Sequence, residues 1–228
     1  MKTRLTVIRH CEAMGNFKRL FQGHTDADIS ENGAKQLEAL AARCKSLMFD
    51  AAYSSPLVRA QKTALAAIRG KGLPLQLDRG LMEIDGGCWE GKPWAELPEL
   101  YPEMARCWYE EPWNFQADGG ESMREVRERV CTAVQKIARQ HEGQSVCVVS
   151  HGCAIRNLLC WAAGLSIEKL NEIDWCDNTA ISILELDKSL VPSIILMNDS
   201  SHLNDEISTF SKQSWWRKSV EGAAAHFQ

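Results

Sequence analysis

The chain has 228 residues, 45% hydrophobic and 25% charged, with 26 basic and 30 acidic residues giving a net charge of -4. At ~150 residues per domain this is one domain to one and a half, large enough to bury roughly 70–75% of the surface its unfolded form exposes. A disordered chain, a collagen-like fibre and a disulfide-stapled mini-protein are excluded, and mixed charges without a basic stripe argue against a nucleic-acid partner.

Short apolar runs alternate with helix-length amphipathic runs, the pattern of an α/β protein. Leu5 to Ile8 reads as a buried strand. Ser30 is a helix N-cap, with Leu37, Leu40, Ala41 and Cys44 at helical spacing behind it. Ala51 to Tyr53 is a short strand. Ser55 and Pro56 predict an N-cap and first-turn proline for a helix running to about Ile68. Leu73 to Leu77 fits a further strand. Trp89 to Phe115, dense in Trp, Tyr, Pro and Glu, breaks the rhythm and reads as a helical insertion over one face of the sheet. Its Trp89, Trp94, Trp108 and Trp113 either line a ligand pocket as a lid or form the insertion's own small core. Ser122 with Glu125 makes a capping box for a helix to about Gln140. Ser145 to Val149 is a central strand, Ala154 to Ala163 a helix, and Thr179 to Leu186 and Pro192 to Met197 two final strands.

The start has too short an apolar region for a signal peptide, and the apolar stretch Leu158 to Leu165 is far short of the ~20 residues that span a bilayer. Nine cysteines without a C-x-x-C pair fit neither a disulfide framework nor structural zinc, so reduced thiols in the cytoplasm are expected, with no membrane partner.

Chemistry enters at two strand ends. Val7-Ile8-Arg9-His10 and Val148-Val149-Ser150-His151-Gly152 each run an apolar strand into a histidine. Ligands of an open parallel sheet bind beyond the carboxyl ends of its strands, which places both rings on one edge. Arg59, early in a helix that follows a strand end, adds a guanidinium suited to phosphate oxygens. Glu83 lies in a partly apolar loop, where a glutamate can be tuned to act as a general acid.

Together with Glu12, Gly15, Asn16, Phe21-Gln22-Gly23, Ser54 to Ala64, Gly87-Cys88-Trp89-Glu90-Gly91 and Gly119-Gly120-Glu121-Ser122, these residues follow one order along the chain. The whole resembles the histidine phosphatase superfamily, which includes the cofactor-dependent phosphoglycerate mutases. The resemblance implies a three-layer α/β/α sandwich with a mostly parallel sheet and a helical lid insertion, and neither metal nor cofactor. Residues 1–205 are expected to form one domain, with the insertion at about 88–120 and a C-terminal extension at 206–228.

The resemblance makes His10 the nucleophile that becomes phosphohistidine, and Glu83 the general acid and base. Arg9, Arg59 and His151 form the phosphoryl clamp, with His151 as the imidazolium. Asn16, Gln22, Gly23, Gly152 and Cys11 adjoin the phosphate. One departure is Cys11, where the family has glycine; it either narrows the site and adds thiol chemistry or packs away from it.

The expected activity is hydrolysis of small-molecule phosphomonoesters, the family's metabolite phosphatases being the nearest in pattern. They include broad-specificity enzymes and those acting on a nucleotide-loop phosphate of cobalamin synthesis. The alternatives are mutase-type transfer, which the acidic insertion with Arg106 as its one arginine disfavours, and a phosphate-binding module weakened by Cys11. The aromatic insertion suggests a ring-containing or apolar leaving group. Trp215 and Trp216, with the family's habits, suggest a homodimer.

Overall fold

The computed structural model describes residues 1–213. Six strands form one sheet: β1 (Thr3–Arg9), β2 (Ala51–Ser54), β3 (Leu75–Leu77), β4 (Ser145–Ser150), β5 (Ile181–Leu186) and β6 (Pro192–Asp199), in the order β3-β2-β4-β1-β5-β6. The pairs β1–β4, β2–β4 and β2–β3 are parallel, whereas β5 runs antiparallel to both β1 and β6. The sheet is mostly parallel because only β5 is reversed.

Both faces of the sheet are covered, as continuous apolar strands require. Leu5, Val7, Val146 and Val148 face a large core built with α6 (Met123–Gln140) and α7 (Gly152–Ala162). Ile8, Ala52, Cys147 and Val149 point the other way, onto Leu40 and Cys44 of α2 (Glu31–Cys44) and Ala60, Ala64 and Ala67 of α3 (Val58–Ala67). The period-2 alternation of strand side chains thus divides one sheet between two helical layers. The Ser30 cap and the Ser122–Glu125 capping box both form as their sequences dictate.

The helix expected from Ser55–Pro56 begins instead at Val58. Leu57, after the proline, is extended at φ -70° and ψ 135° and takes the N-cap position in place of Ser55. The cap comes from a distant loop, where Asp26 Oδ1 accepts from Val58 N–H at 2.8 Å. The third strand is shorter than expected, and a five-residue α1 (Met14–Lys18) lies where the sequence suggested no element.

The insertion holds two short helices, α4 (Leu97–Leu100) and α5 (Pro102–Glu110). Its Trp89 and Trp108 pack with Phe21, Trp94 and Phe115 at ring separations of 4.8–6.2 Å. Trp89 is fully buried there. These rings are the insertion's core, each pair contributing about 0.5–1.5 kcal/mol beyond its buried area. A lid lined by Trp89 is therefore corrected. Trp113 is half-buried against the same core.

The beginning of the supposed C-terminal extension is stitched into the body. Ser208 Oγ donates to Asp177 at 2.6 Å, Thr209 Oγ1 to Glu12 at 3.1 Å, and Gln36 Nε2 to the Ile207 carbonyl at 2.8 Å. The last helix is α8 (Thr209–Lys212); Trp215 and Trp216 lie outside the described residues. Among the described residues no helix is long and apolar enough to cross a membrane.

Candidate active site

Arg9 and Ser150 are register partners in the parallel β1–β4 pair, so His10 and His151 leave the sheet side by side. Their ring centroids lie 5.0 Å apart, tilted by 52°. His10 N–H donates to the Ser150 carbonyl at 3.0 Å, which carries the ladder one residue further. Both rings are buried at the carboxyl edge of the sheet.

The His10 ring has a defined tautomer. Its Nδ1 lies 2.6 Å from the Cys11 carbonyl, an oxygen that can only accept. The proton is on Nδ1, and Nε2 keeps its lone pair. Burial, then Arg59 and Arg9, hold the imidazole well below its ordinary pKa, so it is neutral near pH 7. The backbone behind it is fixed by Asn178, whose Nδ2 donates to the His10 carbonyl at 2.8 Å, and by Thr179, held at φ +61°, whose N–H donates to the Arg9 carbonyl at 3.1 Å.

Cys11 turns its side chain away from this centre. The thiol is buried with Leu37 and Ala66, its pKa raised to about 11 by burial, while Thr63 accepts from its backbone N–H at 2.9 Å. Phosphate contact by the Cys11 side chain, and a reactive thiol there, are corrected: the residue contributes its carbonyl to His10.

Arg59 is fully buried. Its Nη2 donates to the Gly23 carbonyl and its Nη1 to that of Thr25, both at 2.8 Å, leaving Nε unpartnered. Arg9 donates through Nη1 to the Cys176 carbonyl and likewise keeps an unpartnered Nε. Both ring nitrogens of His151 are buried and unpartnered as well. Buried donors left open cost about 1–3 kcal/mol each, which an oxyanion among them would recover. Burial, then Arg59, hold His151 well below its ordinary pKa in the ligand-free site.

Glu83 sits on the N-terminus of α7. Its Oε2 accepts from Cys153 N–H at 3.0 Å, and its Oε1 from Ala154 N–H at 3.1 Å and from its own neighbour Ile84 at 3.0 Å. The segment bearing it is pinned by Arg129 of α6, which donates to the Met82 and Glu83 carbonyls at 2.7 Å and pairs with Glu121 at 2.7 Å.

The remaining expected residues shape the surroundings. A Cβ on Gly152 would stand 3.4 Å from both Arg9 Nε and Trp175, and Trp175 stacks on Trp108 at 6.0 Å, joining the insertion to the site's edge. Gly23 passes so close to the Ile84 carbonyl that a Cβ would lie 2.0 Å from it. Gln22 packs its amide against Gly15, and Asn16 Oδ1 accepts from Ala13 N–H at 3.0 Å within the cap of α1. Sequence reasoning missed Arg129, Asn178 and Thr179. Each acts through backbone carbonyls or amides remote in the chain, which no local pattern reveals.

The model of the histidine phosphatase superfamily (branch 1) matches residues 5–200. Phosphoserine phosphatase 1 of Hydrogenobacter thermophilus is 35% identical over 89% of this chain and 95% of its own. A metal-independent phosphoserine phosphatase of Arabidopsis thaliana is 30% identical over 89% of this chain and 84% of its own. The solved structure of Bacillus stearothermophilus YhfR superposes with a TM-score of 0.84 at 29% identity, covering 89% of this chain and all of that one.

Proposed function

The chain belongs to the histidine phosphatase superfamily, branch 1, and is a phosphatase; from that premise we propose that it hydrolyses small phosphomonoesters without a metal, through a phosphohistidine on His10 Nε2. The observation that carries this reading is the His10–Cys11 hydrogen bond, which leaves Nε2 unprotonated beside buried, unpartnered donors of Arg9, Arg59 and His151.

The transferring group spreads charge over three equatorial oxygens, and catalysis is mainly positioning and electrostatic stabilisation. Nε2 attacks phosphorus while Arg9, Arg59 and His151 take those oxygens. The ester P–O bond breaks, and Glu83 gives its proton to the departing alkoxide. The resulting carboxylate then removes a proton from a water that attacks the phosphohistidine, breaking the P–N bond and releasing phosphate. Once a dianion is bound, its charge favours protonation of His151, against the effect of Arg59.

Phosphoserine is the substrate proposed first, because two of the relatives are named for it. Hydrolysis rather than mutase transfer is favoured by Arg106, the insertion's one arginine, whose guanidinium is shared among Glu103, Glu110 and Glu111 at 3.4–3.9 Å. Little positive charge is left there for a second phosphate. A homodimer and a cytoplasmic location complete the proposal; nine free thiols, seven of them buried, support a reducing compartment.

The test is phosphate release in excess EDTA from phosphoserine, p-nitrophenyl phosphate, nucleotides, sugar phosphates and 3-phosphoglycerate, for wild type and His10→Ala. EDTA-resistant release that disappears in His10→Ala is expected. Release that needs added metal, or that survives in His10→Ala, would overturn the reading.

A further inference from the structure

Glu90 follows the first turn of the insertion, and none of the roles above uses it. Its half-buried carboxylate is filled by backbone amides. Oε1 accepts from His24 N–H at 2.8 Å and Gly86 N–H at 2.9 Å; Oε2 accepts from Gly23 N–H at 3.2 Å and Thr25 N–H at 3.0 Å, and from the Thr25 hydroxyl. Three successive amides of the 23–25 loop converge on one side chain, as in the backbone nests that hold anions. Burial opposes the charge, but the Thr25 hydroxyl and the amides of Gly86, His24 and Thr25 outweigh it and hold the carboxyl below its ordinary pKa.

The loop that Glu90 gathers is the one that holds Arg59. Its amides point to Glu90 while its Gly23 and Thr25 carbonyls point to the guanidinium. The Gly86 bond fastens the same carboxylate to the turn that follows Glu83, and His24 Nε2 donates to the Glu83 carbonyl at 3.0 Å. Glycine is required at this approach: a Cβ on Gly23 would lie 2.0 Å from the Ile84 carbonyl and 2.3 Å from Glu90 Oε1.

We propose that Glu90 is a positioning residue that fixes Arg59 relative to Glu83, by clamping the 23–25 loop and the 83–86 turn with one carboxylate. The inference rests on the reading of Arg59 as a phosphate clamp and Glu83 as the proton donor. Glu90 touches no substrate; it acts through carbonyls that aim the guanidinium.

Glu90→Gln keeps the volume but turns an amide NH2 toward amide donors, breaking about half of the clamp. Misplacing a clamp by about 1 Å costs on the order of 100-fold, so kcat/KM for phosphoserine is expected to fall about that far, with weaker vanadate inhibition. Glu90→Asp, which restores the charge, is expected to recover part of the loss.

The deciding measurement repeats Glu90→Gln in an Arg59→Lys background, read by phosphate release and by the thermal shift that vanadate produces. If Glu90 acts through Arg59, the further loss shrinks to about threefold or less. Equal losses in the two backgrounds would mean a purely structural role and would overturn the proposal, as would wild-type kinetics in Glu90→Gln. Should Glu90→Gln not fold, Thr25→Val removes one donor from an exposed loop. It is expected to cost about 10-fold, suppressed in Arg59→Lys, and no loss would count against the clamp. A wild type that releases no phosphate would overturn the proposed function and remove the ground for this inference, whereas an active wild type with an unaffected Glu90→Gln overturns this inference alone.

Discussion

The carbonyl of Cys11 lies 2.6 Å from Nδ1 of His10, so the residue beside the proposed nucleophile acts through its backbone while its thiol packs with Leu37 and Ala66. Glycine at this position would keep the carbonyl. Cys11→Gly is therefore expected to leave kcat/KM within about threefold of wild type, a barrier change under about 0.7 kcal/mol. Stability should fall by about 1–2 kcal/mol, from lost burial and added backbone freedom. Steady-state kinetics with denaturant unfolding separate the two effects. A large gain or loss of activity would show that the side chain reaches the phosphate after all.

The two site histidines predict an acid-sensitive fold. Both imidazoles are held well below 6.5 by burial and then by Arg59, while in the unfolded chain they return to the ordinary value. Below that value the unfolded state binds more protons than the native state. Their stabilising contribution is therefore complete above about pH 6.5 and is lost as pH falls through the lowered native pKa values. Thermal midpoints of the ligand-free protein, followed from about pH 8 to about pH 5, should decline on the acid side, and less steeply in His10→Ala/His151→Ala. Over the same range kcat/KM should hold its neutral value to below pH 6.5, because His10 remains an unprotonated nucleophile. An acid limb centred at or above 6.5 would contradict the lowered pKa.

Arg59 is expected to matter more than its two carbonyl contacts suggest. Arg59→Ala removes a buried cation that faces the proposed phosphate position, and losing one such donor costs about 2.7–4 kcal/mol of transition-state stabilisation. Phosphate release should fall by 10²–10³, about that energy in rate. Vanadate should lose its inhibition in parallel. An Arg59→Ala enzyme with unchanged vanadate affinity would place the phosphate elsewhere.

How much of this was legible in the sequence follows from which atoms do the work. His10 and His151 could be found because β-branched, apolar runs end at them, and parallel register then sets the rings side by side. The two helical layers were legible from periodicity in the same way. The aromatic insertion was ambiguous, because a Trp-rich lid and a Trp-rich core share one composition; only the ring contacts of Trp89 and Trp108 decide between them. The fixing of Arg59 by the Gly23 and Thr25 carbonyls left no trace, since any residue supplies a carbonyl. The same holds for Asn178, which reaches His10 across most of the chain.

Glu83 should reveal itself through the leaving group. Its carboxylate is oriented by the Cys153, Ala154 and Ile84 amides, and its proposed task is to protonate an alkoxide. General acid catalysis is worth about 10²–10⁴, so Glu83→Gln should lose on that order for phosphoserine, whose leaving group is a poor one. p-Nitrophenolate departs without a proton, and its phosphate ester should lose far less in the first step. A burst of p-nitrophenol followed by slow turnover would reveal a phosphoenzyme awaiting its general base. Equal losses on both substrates, without a burst, would remove Glu83 from proton transfer.

The segment after residue 205 should prove part of the domain's stability. Sequence suggested an extension from 206, but Ser208 and Thr209 donate to Asp177 and Glu12, both buried carboxylates. Glu12 also accepts from Ser30 at 2.6 Å and from Asn32 at 3.1 Å, and it lies two residues from His10. Asp177 precedes Asn178, which holds the His10 carbonyl. Cutting the chain after Asp205 strips the Ser208 hydroxyl and the Phe210 N–H from Asp177 and the Thr209 hydroxyl from Glu12, and each loss costs about 1–3 kcal/mol. Unfolding free energy should drop by several kcal/mol, with His10 loosened at both of its flanks. Thr209→Val is the milder probe, removing one hydroxyl and leaving the chain whole; it should lower stability by about 1–3 kcal/mol with little change in the pH profile of phosphate release. A truncated chain as stable as the full one would restore the boundary at 205 and make the Ser208 and Thr209 contacts incidental.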